Sequence, residues 1–386
     1  MKSMPDASFY DVLHEWPGAV VRERLRAVRV DDVRHALARS RLEPEDFLAL
    51  LSPAARPFLE NMAIRARELT LQFFGRTVQL FTPLYLANFC TNQCRYCGFN
   101  GKNRMPRAKL NMDEVETEGR AIAATGLRSI LLLTGEAPKL AGPEYIAEAV
   151  RRLRPLFPDI GIEVYAMTEE EYAFLVRAGV DSLTLFQETY NEELFLEVHP
   201  VGPKRNFRFR LDSQHRAALA GMRAVNVGAL IGLDDWRRDA FCTGLHAYWL
   251  QQRHPGVEVG ISVPRMRPHG GGDIPAHPGT ERDLVQYIVA LRLFLPRSGV
   301  TVSTRERAHV RDHLLPLGVT RMSAGVSTAV GGHAVRPAED AGQFHIADGR
   351  DVDGMIAAIR ARGYQPVFKN WEPLDGTYDC GVAAGM

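Results

Sequence analysis

The sequence predicts an α/β fold, a (β/α)8 barrel of the TIM type with an N-terminal helical extension and a short C-terminal extension. Two observations carry this prediction. Eight short apolar runs with strand-like composition follow one another along the chain, and segments with helical periodicity separate them. The runs are Val78–Leu86, Ser129–Thr134, Ile160–Met167, Ser182–Glu188, Val225–Leu233, Val257–Pro264, Val300–Arg305 and Thr320–Ala324.

Capping residues mark the helices between these strands. The stretch from Thr168 to Glu171 has the composition of a capping box, and Gly179 is placed to end the helix that the box begins. A later helix carries leucine and isoleucine on one face and stops at Pro296.

Three regions follow from this pattern. Residues 1–75 form the helical extension, with helical periodicity over 22–40 and over 44–70. Residues 76–330 form the barrel. Residues 331–386 form the C-terminal extension, with a helix over 351–362 and an extended stretch over 365–371.

Composition limits the classes of function. The 386 residues are 46% hydrophobic and 24% charged, as in an ordinary globular enzyme. A formal net charge of +1 gives no broad field for nucleic acid or anionic lipid. The N-terminal segment has charged residues at positions where a signal peptide needs an apolar stretch, so we expect no signal peptide. Five cysteines, an odd number, favour a reducing compartment. We expect a soluble cytoplasmic protein that binds neither nucleic acid nor membrane.

Polar, charged and glycine residues lie at the carboxyl ends of the predicted strands, where barrel enzymes place their chemistry. This agreement across seven strands supports both the barrel and one shared site. The residues are the cysteines after strand one, Gly135 and Glu136 after strand two, Gln187 and Glu188 after strand four, Gly228 and Gly232 on strand five, Arg265 and Arg267 after strand six, Arg305 and Glu306 after strand seven, and Ser323 on strand eight.

Three of the five cysteines, Cys90, Cys94 and Cys97, lie within eight residues. Their loop is polar, which is a poor setting for core thiols. A structural zinc site needs a fourth ligand, which His199 or His269 could supply from a distance. A 4Fe–4S cluster held by three thiolates would leave one iron open, and an open iron is typical of a catalytic site.

The spacing Cys90-x3-Cys94-x-Tyr-Cys97 resembles the signature of the radical S-adenosylmethionine (SAM) superfamily. The resemblance implies that SAM chelates the open iron through its amino and carboxylate groups. It also implies that an electron from the cluster cleaves SAM to give a 5′-deoxyadenosyl radical. Tyr96 would then lie beside the adenine.

The whole chain resembles the 2-iminoacetate synthase family, the tyrosine lyases of thiamine thiazole biosynthesis. The matching segments read ALLSPAARPFLE, PLYLANFCTNQCRYCGF, LLLTGE, FQETY, GALIGL, SVPRMRP, STRE and GYQPVFKNW. The resemblance implies a lyase that cleaves L-tyrosine between Cα and Cβ, giving 2-iminoacetate and p-cresol, while SAM yields methionine and 5′-deoxyadenosine. It further implies a thiazole synthase partner and a flavodoxin-type or ferredoxin-type reductant.

The resemblance also assigns cofactor contacts. Gly135 and Glu136 would meet the ammonium of SAM, and Glu188 would meet SAM or its ribose hydroxyls. Arg210, rather than Arg208, would pair with the SAM carboxylate. Alternatively, the arginines of this segment form the solvated basic face of a helix. Gly232, together with Gly228, would allow close approach near the adenine, or would simply serve strand packing.

For the substrate, the resemblance assigns Arg305 and Ser323 to the amino acid's carboxylate. An unpaired guanidinium among apolar residues would be costly, which favours a ligand at Arg305. We expect Glu306 to form an internal salt bridge. Arg265 and Arg267 are expected in a charge network at the barrel mouth.

Val326 and His333 depart from the family pattern. The resemblance therefore does not determine how the amino and carboxylate groups of the substrate are bound. A lyase acting on tryptophan or another aromatic amino acid is therefore the alternative function. An electron-transfer or metal-binding module, and a chiefly structural partner of the thiazole synthase, are alternatives of other classes.

The remaining signals are weaker. Cys242 reads as a core residue, and Cys380 alone cannot hold a second cluster of the kind found in the hydrogenase-maturation relatives. The loop over 268–280 has the Gly and Pro content of a cover over the barrel mouth or of an inert surface loop.

Overall fold

The computed structural model describes residues 8–268, 278–335, 342–369 and 371. In these residues eight parallel strands close into a barrel, because β1 pairs with both β2 and β8, and a ninth strand is added beside β1. The barrel prediction is confirmed. The strands, β1 to β9 in chain order, are Thr77–Ala87, Ser129–Thr134, Asp159–Glu163, Ser182–Thr184, Ala224–Gly228, Glu258–Ser262, Val300–Val302, Arg321–Ser323 and Gln365–Val367.

Helices cover the outside of the barrel. Among the described residues, no helix combines the length and the apolar character needed to cross a lipid bilayer. The helices, α1 to α15 in chain order, are Phe9–Glu15, Gly18–Ala27, Val30–Ala38, Pro44–Leu51, Leu59–Phe74, Met112–Ala124, Pro143–Leu153, Glu169–Ala178, Glu192–Val198, Phe207–Leu211, Ser213–Leu219, Trp236–Arg253, Glu281–Phe294, Ala308–Leu314 and Val352–Ala361. Short 3-10 turns lie at Pro53–Phe58, Pro203–Arg205 and Leu315–Leu317.

Several predicted elements are shorter in the structure or divided. The helical stretch over 22–40 is two helices, because Asp32 caps α3 by accepting the backbone N–H of Arg29 at 2.8 Å. The stretch over 44–70 is also divided: Ser52 is extended and a 3-10 turn precedes α5. The seventh and eighth strands have three residues each: β7 ends three residues before the predicted run does, and β8 ends one residue before.

The N-terminal extension packs tightly on α12 and α13. Phe47 of α4 is fully buried and stacks on Phe294, with ring centroids 4.6 Å apart. Gln286 donates to the carbonyls of Leu50 and Ser52 at 2.9 and 2.8 Å. These contacts make the extension part of the barrel's outer core.

The barrel has two different walls. Alternate residues of each strand point outward into one large apolar core beneath the helices. A separate, small apolar cluster lines the inside near the carboxyl ends, with Phe81, Tyr85 and Leu131 at its centre. At the opposite end the interior is polar, and Asp159 accepts hydrogen bonds there from Ser129 at 2.6 Å and Gln79 at 3.1 Å.

The C-terminal extension reaches both ends of the barrel. Strand β9 pairs with the first residues of β1, at the amino end. Before that, the chain crosses the carboxyl end, where Gly98 donates its N–H to the carbonyl of Gln343 at 3.1 Å and Ala347 donates to Thr304 at 2.9 Å. The extension therefore contributes directly to the end where the cysteines lie.

If the N-terminal extension belongs to the barrel core, its aromatic anchor should matter for global stability. We expect Phe47→Ala to lower the free energy of unfolding by about 3–5 kcal/mol, because it leaves a buried cavity. Ile64→Ala, on the exposed face of α5, is the control, with an expected change within about 0.5 kcal/mol. Urea denaturation followed by circular dichroism measures both; equal midpoints would contradict the prediction.

Candidate active site

Two adjoining cavities open at the carboxyl end of the barrel. The first has a volume of about 140 Å³ and contains Arg305 and Ser323 in its wall. The second has a volume of about 100 Å³ and is bordered by the three cysteines. Glu163, Glu188 and other shared side chains line both, so they form the boundary between the cavities.

The three predicted cysteines lie together. Burial raises the pKa of Cys94 to about 12, and the nearby thiols of Cys97 and Cys90 add to that rise. The Sγ of Cys97 accepts a long hydrogen bond from Gln343 at 3.6 Å. In the described part of the chain, no three His, Cys, Asp or Glu side chains converge as the ligands of one ion would.

His199 is engaged elsewhere, so it does not complete a zinc site with these thiols. Its Nδ1 donates to the carbonyl of Phe195 at 2.7 Å, and its Nε2 accepts from the hydroxyl of Tyr96 at 2.6 Å. Burial lowers the pKa of His199 to about 2, with Lys204 nearby lowering it further, so the ring is neutral. The other histidine considered from sequence, His269, lies outside the described residues.

Tyr96 is placed by this hydrogen bond. Its ring stands edge-on to the imidazole of His199, with centroids 5.4 Å apart, and the ammonium of Lys204 lies 5.4 Å from its centre. The side chain lines the first cavity just before Cys97. These contacts hold the phenol beside the cysteine loop.

Gly135 lies where the end of β2 meets the cysteine loop. A Cβ there would lie 2.3 Å from the carbonyl oxygen of Phe89 and 3.2 Å from the Cβ of Cys90. Next to it, the carboxylate of Glu136 accepts from Asn92 at 2.5 Å and its backbone carbonyl accepts the N–H of Thr91 at 2.8 Å. Both predicted residues therefore border the second cavity and hold the loop against β2.

Glu188 has the only positive φ, 72°, among the described non-glycine residues. Its buried carboxylate pairs with Lys204 at 2.6 Å and with Arg210 at 3.4 Å. Burial pushes its pKa up, but the two cations outweigh burial and leave the pKa below the ordinary value. A strained backbone at a cavity wall is typical of a functional position.

Arg210 borders the second cavity, whereas Arg208 does not. The Nε of Arg210 donates to the carbonyl of Phe186 at 2.8 Å. The guanidinium of Arg208 stacks instead on Tyr10 of α1, 3.7 Å from the ring centre. The geometry agrees with the choice of Arg210 for the cavity.

Lys204 was not predicted as a site residue. It lies in a 3-10 turn, and its backbone N–H donates to Asn92 at 3.0 Å. Gly202 makes this approach possible, because a Cβ there would lie 2.2 Å from the same Asn92 oxygen. No periodicity or spacing marks such a turn, so this lysine could not be identified from the sequence.

Arg305 reaches into the first cavity with no ion pair or side-chain hydrogen bond in the described residues. Its guanidinium lies 3.6 Å from the ring centre of Phe344. Burial lowers the pKa of Arg305, while Tyr85, Glu163 and Glu188 nearby raise it. The arrangement leaves a buried cation with its hydrogen-bond donors available for an anionic ligand.

Ser323 lies in the wall of the same cavity. Its Oγ accepts the backbone N–H of Thr304 at 3.2 Å, which leaves the hydroxyl hydrogen for another acceptor. Glu306 is occupied, as predicted: it pairs with Arg265 through two hydrogen bonds and with Arg267 at 3.0 Å. Arg265 and Arg267 are therefore paired with Glu306, whereas the guanidinium of Arg305 is available to a ligand.

Glu163 is the second site residue that sequence reasoning missed. It is the last residue of β3 and lines both cavities. The predicted strand ran on to Met167, which placed Glu163 in the middle of a strand rather than at its end. A charged residue inside an apolar run is the signal that could have identified it.

Some predicted residues lie away from the cavity walls. Gly232 has a φ of 118° and packs against Met266 and Pro278, outside both cavities. His333 donates from Nε2 to the carbonyl of Pro83 at 2.9 Å, so it ties the chain to β1. Val326, the other departure from the family pattern, does line the first cavity.

The remaining predictions divide between the core and residues outside the description. Cys242 is 1% exposed in α12, as expected for a core residue. Cys380 and most of the proposed cover, residues 269–277, lie outside the described residues.

Comparison with protein families gives two matches. The model of the Radical SAM superfamily matches residues 84–242, which include the cysteine loop and both predicted carboxylates. The model of the Biotin and Thiamin Synthesis associated domain matches residues 262–365. Together they cover β2–β5, β7 and β8, and the carboxyl ends of β1 and β6.

Individual relatives agree. The 2-iminoacetate synthase of Escherichia coli (strain K12) is 40% identical over 357 residues, 92% of this chain and 94% of that protein. The enzyme of the same name from Salmonella typhimurium is 39% identical over 93% of this chain and 94% of its own length. A crystal structure of HydG, a maturase of the FeFe-hydrogenase, superimposes with a TM-score of 0.86 at 28% identity, covering 91% of this chain and 80% of that one.

The contact at Gly135 can be tested directly. We expect Gly135→Ala to push the Phe89–Cys90 backbone out of place, at a cost of about 1–3 kcal/mol, and to weaken SAM binding at least about tenfold. Gly256→Ala is the matched control, since a Cβ there meets no atom within 4 Å. Iron content after anaerobic reconstitution and equilibrium binding of SAM measure the effect; wild-type values for Gly135→Ala would contradict it.

Proposed function

The chain belongs to the 2-iminoacetate synthase family of radical SAM enzymes, and on this premise we propose that it cleaves L-tyrosine between Cα and Cβ. The products are 2-iminoacetate and p-cresol, and SAM is converted to methionine and 5′-deoxyadenosine. The observation that carries the proposal is the unpaired Arg305 in a cavity that adjoins the cysteine site.

Arg305 suits the carboxylate of an amino acid. A planar guanidinium can bind both carboxylate oxygens, and the site is buried enough for that pair to be strong. The hydroxyl of Ser323 can donate to the same group from the neighbouring strand. With the carboxylate held at this wall, the amino group and Cα are directed toward the boundary with the second cavity.

The far side of the first cavity suits a substrate with a polar group at the end of its ring. Asn226 lines this cavity, and its Nδ2 donates to Ser262 at 2.7 Å. Its Oδ1 is buried with no hydrogen-bond partner. The polar side chains of Thr184, Asn226 and Ser262 in this wall can meet a phenol hydroxyl, and a substrate without that hydroxyl would leave the polar wall unmatched.

The second cavity suits the cofactors of this family, a 4Fe–4S cluster and SAM. Cys90, Cys94 and Cys97 would hold the cluster, because three soft thiolates from one loop match iron–sulfur ligation. Glu136, Glu188 and Arg210 would meet the charged and hydroxyl groups of SAM. When bound, cluster and SAM supply the one-electron chemistry that removes a hydrogen atom from the substrate.

The chain's own residues then orient the substrate and exclude water. The imine product hydrolyses readily, which supports transfer to a thiazole synthase subunit in thiamine biosynthesis. The cluster needs an electron, which supports a flavodoxin-type or ferredoxin-type partner. Free thiols at the site suit a reducing cytoplasm.

Product analysis tests the function. We expect the reconstituted and reduced enzyme to form p-cresol and 5′-deoxyadenosine in equal amounts from SAM and L-tyrosine. L-tryptophan in place of tyrosine tests the alternative substrate, and L-phenylalanine tests the need for a polar ring end. Cys94→Ala is expected to abolish SAM cleavage altogether. Formation of an indole product in place of p-cresol would overturn the choice of tyrosine.

The role of Arg305 has its own test. We expect Arg305→Ala to weaken L-tyrosine binding about 10- to 100-fold, as for the loss of a charged hydrogen-bond partner, while SAM cleavage without lyase product persists. Arg208→Ala is the control, because that guanidinium stacks on α1 outside both cavities. Undiminished p-cresol formation by Arg305→Ala would remove Arg305 from the substrate site.

A further inference from the structure

Glu163 stands out among the charged residues that line both cavities. Glu188 and Lys204 pair with each other at 2.6 Å. The carboxylate of Glu163, by contrast, has no hydrogen bond or ion pair in the part of the chain that the structure describes. A carboxylate without a protein partner, at the junction of the two cavities, is available to pair with a polar or cationic group of a ligand.

Its position is fixed by the barrel. Glu163 pairs in register with Leu133 of β2, so its side chain points inward at the last rung of β3. The charged groups that face it across the cavities are Glu188, Arg305, Arg210 and Lys204. It therefore lies between the proposed carboxylate site at Arg305 and the cofactor side at Glu188.

This setting changes its acidity. Burial raises the pKa of Glu163 to about 7, and Glu188 adds to the rise, while Arg305, Arg210 and Lys204 oppose it. A carboxylate with that pKa can be ionised at neutral pH and can still hold a proton that it accepts. Acid–base groups at active sites commonly have such shifted values.

The reaction needs a proton acceptor at this place. A free amino acid enters with an ammonium group, which has no lone pair, and taking a hydrogen atom from it would leave a radical cation. The neutral amine avoids that charge. Glu163 and Arg305 line the same cavity and lie close enough to shift each other's pKa, so an amino acid with its carboxylate on Arg305 can place its amino group near Glu163.

We propose that Glu163 is a catalytic base that accepts one proton from the ammonium group of the substrate amino acid. The N–H bond breaks heterolytically: its electron pair stays on nitrogen, and the proton moves to a carboxylate oxygen of Glu163. No electron is transferred in this step, and no further reactant is needed. The proposal rests on the proposed function, since it assigns the amine of that same substrate.

The same carboxylate could instead hold a ribose hydroxyl of SAM. The two roles differ in what they recognise. A base for the substrate distinguishes L-tyrosine from 3-(4-hydroxyphenyl)propanoate, which has the same ring and carboxylate but no amine. A ribose ligand changes SAM affinity and treats both compounds alike.

The test uses reconstituted enzyme with SAM bound and compares Glu163→Gln with Glu163→Asp and with Glu148→Gln, a surface carboxylate on α7. Equilibrium binding of L-tyrosine and of the propanoate is measured without turnover. In Glu163→Gln we expect SAM and propanoate affinities within about twofold of wild type, and a preference for tyrosine that is lower by about tenfold, because a buried charge pair is lost. Glu148→Gln should behave as wild type.

Kinetics give the second readout. We expect Glu163→Gln to form p-cresol about 100- to 10,000-fold more slowly, as when a general base is removed, with partial recovery in Glu163→Asp. Because the base is the ionised form, kcat/KM for wild type should rise with pH through about 7, from the pKa of the free enzyme. That rise should vanish in Glu163→Gln.

Two outcomes would overturn the proposal: weakened SAM binding with an unchanged preference for tyrosine, or undiminished p-cresol formation by Glu163→Gln. Failure of the proposed function is seen separately, as absence of p-cresol from the wild-type enzyme. In that case the binding comparison still decides the role of Glu163. Loss of the preference for the amine in Glu163→Gln then supports a contact between Glu163 and the ammonium group but not a role as base, and retention of the preference overturns both.

Discussion

One guanidinium fixes both ends of the cysteine loop. Arg107 donates to the carbonyl of Asn88 at 2.6 Å, where the loop begins, and to those of Phe99 and Asn100 at 3.0 and 2.6 Å, where it ends. Buried carbonyls need such partners, so the loop closes on protein groups rather than on a metal. Arg107 therefore helps to set the position of the loop that carries the three thiols.

The boundary between the two cavities includes charged side chains, Glu163, Glu188 and Lys204, beside apolar ones such as Leu133 and Phe186. Glu188 is held with a φ of 72° by the hydrogen bond from the N–H of Leu230 to its carbonyl, at 2.8 Å, and this places its carboxylate against Lys204. Such backbone strain costs about 1–3 kcal/mol and persists where surrounding contacts enforce it. The charged side chains of this boundary can meet polar groups of ligands in either cavity.

The sequence predicted the barrel, the cysteine loop and the strand-end positions of Glu188 and Arg305 because those signals are local: periodicity, spacing and capping. It missed what distant segments bring together. Gln343 and Phe344 follow the predicted end of the barrel by more than ten residues, yet the chain folds back and places them at Cys97 and Arg305. The division at residues 76 and 330 thus stays a prediction, and the site draws on both sides of it. Glu163 was missed because strand pairing, which no local pattern reveals, ends earlier than the apolar run.

Charge balance explains why a free amino acid suits the first cavity. Arg305 and Glu163 are its two charged side chains without a hydrogen-bonded partner among the described residues, and they have opposite signs. A zwitterion brings one carboxylate and one ammonium, so it can pair both groups while adding no net charge to a buried site. A simple acid would leave Glu163 unpaired, and a simple amine would leave Arg305 unpaired; each carries a desolvation cost without compensation. Under the proposed function, the amino-acid end of the substrate is selected by these two charges, and its ring by the polar wall around Asn226.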